Sequence, residues 1–344
     1  MDNLTHSLVG ALIGQAGLKR KTGLAMPALV IGANLPDVDA ACFFWLEGVE
    51  HLGFRRGITH GPIAWVLLPL VLAGLLYAFD RWQERRGTRP EGRLPVRFGW
   101  LYALAFIGCL THPALDWLNV YGIRLLEPFS SRWFYGDTLF IIDVWLWALL
   151  GLATWFSLRR EKRGGEWRRP ARIAIAVALA YVGLNGGITY FERQTGALMA
   201  EPYPEVAIAA PVPLAFWERE RIIRTADGLW WSSHWTGAAD GHGYRAPPRQ
   251  QCALPDEGTL AGNAQAAAFL FWSRAPFAER APDGSPDGSP NGSLVLRDAR
   301  FYDPRARDRF SVALPGIPCE PLGWRGAGAR RSTASLSAAA RAGR

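Results

Sequence analysis

An α-helical polytopic membrane domain of about six helices, followed by a small, mostly β extracytoplasmic domain, is the fold class that these 344 residues predict. Three observations carry it. Hydrophobic residues make up 49% of the chain and are concentrated before about residue 192. Tryptophans such as Trp82, Trp100, Trp117, Trp133, Trp145 and Trp155 stand near the ends of the apolar stretches, where interfacial anchors belong. Lys and Arg, finally, alternate between dense and sparse loops.

The elements follow in order. Residues 4–18 form a first apolar segment, short for a span and therefore tilted, re-entrant or shielded by neighbours. Its Gly10, Gly14 and Gly17 lie at near-helical spacing, which lets another helix approach closely. Asp2 stands where a signal peptide carries a basic leader, and no small-residue cleavage site follows, so this segment is expected to stay attached. Residues 24–46 form a second segment, interrupted by Asn34, Pro36, Asp37 and Asp39. Residues 60–79, 98–118, 139–158 and 171–191 are stretches of about twenty residues, the length of a spanning helix. The loops at 19–21, 81–97 and 159–172 hold sixteen Lys and Arg, whereas 36–59 and 119–138 hold four. The basic loops are thereby assigned to the cytoplasm, with both termini outside. A net charge of +8 then reads as a topology signal, and no nucleic-acid partner is expected.

Within this frame the candidate ligands fall together. Three of the six histidines follow a threonine, at Thr5-His6, Thr59-His60 and Thr111-His112, each at the edge of an apolar stretch. The topology puts His6, Asp37, Asp39, His60, His112 and Asp116 on one side of the membrane at similar depth. Ionisable groups at such depth are costly unless they act, and imidazole and carboxylate ligate zinc, manganese and iron. His112 and Asp116 are four apart, on one face of a helix. Pro113 between them is expected to kink or end the helical ladder. The threonines are expected behind the ligands or as helix caps.

Six candidates suffice for one or two divalent ions, zinc first. Two could stabilise the entering and leaving oxygens of a phosphoester; one could work with a free carboxylate, Asp39 or Asp116, as the catalytic base. Arg55 and Arg56, with Asn119, are candidates for binding an anionic substrate group, against lipid-headgroup anchoring for the arginines. Tyr121, Asp137 and Asp143 could line the same cavity, although Asp137 is read first as a helix cap. Cys42 and Cys109 are read as packing residues.

At these residues a resemblance emerges. Met1-Asp2-Asn3-Leu4-Thr5-His6-Ser7, Gly32-Ala33-Asn34-Leu35-Pro36-Asp37-Val38-Asp39, Arg56-Gly57-Ile58-Thr59-His60, Leu110-Thr111-His112-Pro113-Ala114-Leu115-Asp116-Trp117 and Trp133-Phe134-Tyr135-Gly136-Asp137 resemble the motifs of the YdjM-like, LexA-regulated inner-membrane family classed as metal-dependent hydrolases. The likeness is strong over roughly residues 1–160 and looser beyond. It implies a bacterial inner-membrane location and a metal at the clustered His and Asp. In motif style the family is similar to zinc-dependent phospholipase C and single-strand nucleases, which implies phosphodiester chemistry. Where the family pattern has His before the Arg-Gly pair, this chain has Arg55, with His51 one turn away.

Residues 1–192 are thus expected as the membrane-embedded hydrolase-like domain, 200–325 as the β domain and 326–344 as a disordered tail. Runs at 206–209, 229–235, 268–272, 293–296 and 310–314 are β-prone. Pro282-Asp283-Gly284-Ser285, repeated at once, reads as a flexible insertion. Cys252 and Cys319 are permitted a disulfide by an oxidising compartment, without being required to form one. His234 and His242 read as surface or hydrogen-bonding residues. The favoured function is hydrolysis of a phosphoester or lipid-borne substrate at the outer face. The alternatives are proton or divalent-cation transport through the same residues and a non-catalytic scaffold; membrane lipids are the expected surroundings in each.

Overall fold

The computed structural model describes residues 1–199, 204–281 and 293–322. Its N-terminal region is helical. Helix α1 (Asn3–Gln15) starts at Asp2, whose carboxylate accepts from the Leu4 and Thr5 backbone N–H groups. Helix α2 (Ala25–Gly32) continues, after a 50° bend, into a 3-10 segment Leu35–Phe44. Pro36 stands at the start of that segment, and Asn34 braces the bend by donating to the Val30 carbonyl at 2.8 Å and to Ser7 Oγ at 2.9 Å. There follow α3 (His51–Phe54), α4 (Pro62–Arg85), α5 (Phe98–Trp117), α6 (Val144–Lys162) and α7 (Arg168–Met199).

By length and composition α4, α5 and α7 can each cross a membrane, and the bent pair of α2 with Leu35–Phe44 would make a fourth span. The expected count of about six is not reached on these criteria. Helix α1 has 13 residues, about 20 Å of axis, against the ~30 Å of a hydrocarbon core. The stretch expected at 139–158 does form a helix, but later: Asp143 caps it through the Leu146 N–H at 2.8 Å. Its apolar part, residues 144–158, spans roughly 22 Å before Arg159, Arg160 and Lys162. Asp137, read as the cap, instead takes a left-handed conformation and pairs with Arg274. Helix α5 runs on through Pro113; what the imide removes is only the donor to the Cys109 carbonyl.

Helices α1, α2 and α5 meet at glycine contacts. A methyl group at Gly10 would lie 2.7 Å from the Leu29 carbonyl oxygen, and one at Gly108 would lie 2.6 Å from the same atom. Backbone therefore packs on backbone there, as small residues at membrane-helix crossings allow. That closeness sets the Ala33 carbonyl against the ring of His112.

The C-terminal region is mostly β. Strands β1 (Val206–Pro211), β2 (Arg219–Arg224) and β3 (Trp230–Ser232) form one antiparallel sheet in that order; β4 (Gln251–Cys252), β5 (Pro276–Arg280), β6 (Ser293–Asp298) and β7 (Ser311–Pro318) form a second. Past β7 the chain returns to β4, with Ala253 N–H donating to the Glu320 carbonyl at 2.8 Å. Cys252 and Cys319 are disulfide-bonded across this closure. Residues 268–272, read as β-prone, lie instead in helix α8 (Ala264–Trp272): Asn263 caps it through the Ala266 N–H, and alanines fill its first turns. The Pro-Asp-Gly-Ser repeat and the tail from Gly326 lie outside the described residues.

The two regions share a core. Leu52, Val120 and Tyr121 of the helical part pack in one cluster with Phe269, Trp272, Phe277, Phe301 and Leu296. Trp272 Nε1 donates to the Tyr121 carbonyl at 3.1 Å, and Arg300 Nη1 to the Val120 carbonyl at 2.7 Å. Arg219 of β2 is buried against α7, donating to the Asn185 carbonyl at 2.9 Å and to Thr189 Oγ1 at 2.8 Å. The β domain is thus seated on the helical domain beside residues 116–121.

Candidate metal centre

The histidines and aspartates singled out in the sequence converge. α1 brings His6, the turn before α4 brings His60, and α5 brings His112 and Asp116 one turn apart. All four are at most 1% exposed. Asp116 lies at the middle. Its carboxylate oxygens are 3.5 Å from His6 Nε2, 3.5 Å from His112 Nε2 and 3.7 Å from His60 Nε2. His6 and His112 stack with ring centroids 3.8 Å apart, and His60 stands edge-on to His112 at 5.0 Å. The bent segment adds Asp37, whose Oδ1 is 3.8 Å from His112 Nε2. Two triads result, His6–His112–Asp116 and Asp37–His60–His112, each with ligand atoms within 4.8 Å of one another and sharing His112.

Hydrogen bonds from outside aim these rings. His112 Nδ1 is 2.7 Å from the Ala33 carbonyl, so it carries the proton and leaves the Nε2 lone pair facing Asp116. His60 Nδ1 is held by Thr59 Oγ1 at 2.9 Å, with Asp39 Oδ2 behind it at 3.5 Å. Nε2 of His60 and of His112 and both ring nitrogens of His6 are buried without a hydrogen-bond partner. Orphaned polar atoms of this kind are rare, and each costs about 1–3 kcal/mol unless something occupies the space between them. An imidazole-rich donor set with one or two carboxylates suits a borderline divalent ion, zinc foremost.

The other candidates stand one layer out. Asp39 does not touch the centre. It accepts from the Arg56 backbone N–H at 2.7 Å, from Thr59 Oγ1 at 3.3 Å and from Arg55 Nε at 3.3 Å, so it positions the turn that carries His60. Arg55 also donates to Asp37 at 2.7 Å. Arg56 is buried and faces inward, its Nε 3.0 Å and Nη2 3.2 Å from the Asp116 oxygens, with Nη1 on Asn119 Oδ1 at 3.1 Å. Its guanidinium lies over the Tyr121 ring, 4.4 Å from the centroid. Burial pushes the Arg56 guanidinium down to about 10 and raises the Tyr121 phenol, leaving the first cationic and the second neutral at pH 7. His51 sits on α3 with Nδ1 3.0 Å from the Gly48 carbonyl, away from the cluster. Among the described residues, His234 and His242 belong to no ligand group.

Of the threonines, Thr59 is the one behind a ligand; Thr5 donates to Asp2 and Thr111 to the Gly108 carbonyl. Two partners escaped the sequence reading. The Met1 amino group lies against Asp116, and the Ala33 carbonyl orients His112. Neither is signalled by residue type, since both are backbone atoms placed by helix packing.

A model of the YdjM inner membrane protein family matches residues 1–190, which contain every residue of the cluster, and the chain belongs to that family. No curated protein and no solved structure matches it.

Proposed function

We propose that this member of the YdjM inner membrane protein family is a metal-dependent hydrolase of phosphoesters, with its site and β domain on the extracytoplasmic side. The observation that carries the reading is the set of buried, partnerless ring nitrogens facing Asp116. His6, His112 and Asp116 would hold one divalent ion, and Asp37 and His60 with the shared His112 would complete the same site or a second one. A zinc ion there supplies Lewis-acid polarisation of a phosphoryl oxygen and a water acidic enough to be deprotonated near neutral pH.

The chain's own side chains do the rest. Asp37 keeps some solvent exposure beside Arg55 and would take a proton from water where His6, His112 and Asp116 alone hold the ion. The water oxygen bonds to phosphorus, the ester P–O bond breaks, and the proton passes to the leaving oxygen. Asp39 holds the turn and ring of His60, while Arg56 and Asn119 balance and fix Asp116. Arg55, at the edge, offers its guanidinium to phosphate oxygens. The dense Lys and Arg loops support a cytoplasmic assignment for the opposite ends of the helices. The Cys252–Cys319 disulfide supports an oxidising compartment for the β domain.

Metal analysis of gently purified protein tests this. Stoichiometric zinc, manganese or iron is expected, lost in His112→Ala and Asp116→Ala while the fold survives, together with hydrolysis of a phosphodiester reporter. A wild-type protein free of bound metal after gentle preparation, and inert with added zinc, would leave a polar scaffold.

A further inference from the structure

Access to the cluster is uneven around its circumference. Towards the β domain it is shut: Val120 and Tyr121 are buried, and Trp272 and Arg300 close over their carbonyls. Of the nine residues singled out in the sequence, only Asp37 and Arg55 have side chains more than a tenth exposed, at 13% and 23%. They lie together, Arg55 Nη2 on Asp37 Oδ1 at 2.7 Å, and Asp37 in turn is 3.8 Å from His112. Among these residues the side of the cluster nearest the surface is therefore the one where this ion pair stands.

The rim of that side is apolar. Val38 is 50% exposed and Ile58 54%, beside Asp37 and Thr59 in the chain. Phe43 is 54% exposed and lies under the Arg55 guanidinium, 5.6 Å from its carbon, with Phe44 at 92% next to it. Val38, Phe43 and Phe44 belong to the outer half of the bent span, and Ile58 leads into α4, which is itself long and apolar enough to cross. An opening towards water would be rimmed by polar groups; large exposed apolar side chains around a charged pair mark a contact with another apolar phase.

We propose that substrate reaches the His–Asp cluster sideways from the bilayer, through the opening between the Leu35–Phe44 segment and Ile58, so that the substrate is a lipid carrying a phosphoester in its headgroup. This deepens the hydrolase reading and rests on it. The phosphate would meet Arg55 first, at the Nη1 edge that its bonds to Asp37 and Asp39 leave open, while the hydrocarbon chains stay among Val38, Phe43 and Ile58. A water-soluble diester offers the same phosphate without those chains.

The test uses the full chain in phospholipid vesicles. Nitroxide labels are attached at Val38→Cys and Ile58→Cys, with Leu75→Cys on the exposed face of α4 as the lipid reference and His242→Cys in the β domain as the aqueous one. Labels at 38 and 58 are expected to collide with oxygen as the label at 75 does. Collision with a water-soluble nickel chelate, as at 242, would overturn the proposal whatever the activity. In the same vesicles, zinc-loaded protein is expected to cleave a bilayer phospholipid diester at least about tenfold faster than soluble glycerophosphodiesters, and equal rates would overturn it as well. Metal content measured in these samples reads the hydrolase proposal separately from the labels.

Discussion

The helical and β domains bury charge on opposite terms. In the β domain Asp298 accepts from the Arg300 N–H at 2.9 Å, from Arg300 Nε at 2.8 Å and Nη2 at 2.6 Å, and from the Ser273 hydroxyl. Glu279 accepts from Arg249 and Arg297 at 3.0 Å each and from the Tyr302 hydroxyl. The carboxylate oxygens of both are satisfied. In the helical domain three histidines and Asp116 are as deeply buried, yet four of the imidazole nitrogens have no hydrogen-bond partner. A satisfied network is accounted for by folding alone, because it repays its own desolvation. An unsatisfied one is a standing cost to folding, and its retention asks for a ligand.

That contrast can be broken by mutation. Arg300→Ala would leave Asp298 buried and unpaired, and a loss of about 3–5 kcal/mol in chemical denaturation is expected. His6→Ala, which deletes two orphaned ring nitrogens, should cost the metal-free protein less. Equal losses would show that the histidines are structural after all. A smaller effect sharpens the metal side: Thr59→Ala frees the His60 ring and should weaken zinc binding about 10–100-fold, read by competition with a chromogenic chelator. Unchanged affinity would remove Thr59 from the site.

The smallest effect concerns a group between the two extremes. Glu220 has the Ser232 hydroxyl as its side-chain partner, and burial pushes its carboxyl up from 4.5 to about 7, with Asp303 adding to the rise. The folded chain therefore holds a proton that the unfolded chain releases above pH 4.5. Stability from this group is full below that pH and declines as pH rises to about 7. Glu220→Gln is expected to raise the melting temperature at pH 8 and leave it unchanged at pH 4; an equal rise at both would point away from titration.

Much of the site was legible because its signal was local. His112 and Asp116 meet through the helical repeat alone, and the Lys and Arg counts of the loops group the remaining ligands on one side. The approach of Arg56 to Asp116 was not legible, since it depends on a turn 60 residues away being folded back by Asp39. The apolar run at 139–158 shows the limit of hydropathy: Asp143 dictates where the helix begins, and the run loses its first turn. Helix α8 shows the reverse error, because Phe269, Leu270, Phe271 and Trp272 suit a strand by residue type but stand in a helix nucleated by Asn263 and its alanines. Strand β2 went unread because its apolar pair, Ile222 and Ile223, is hidden among Glu220 and arginines, and only the folded sheet explains the burial of Arg219.

Tyr121 draws one last consequence. Its ring carries Arg56 over one part and Trp272 at 5.1 Å over another, so the seam between the domains is also a wall of the His–Asp chamber. Water kept out by that wall would otherwise screen Arg56 from Asp116; in its absence every charge inside acts at a low local dielectric, where small displacements change energies steeply. Severing the chain after α7 would thus do more than discard a lid. It would flood the chamber, and the three imidazoles would face a solvent in which their arrangement has little force.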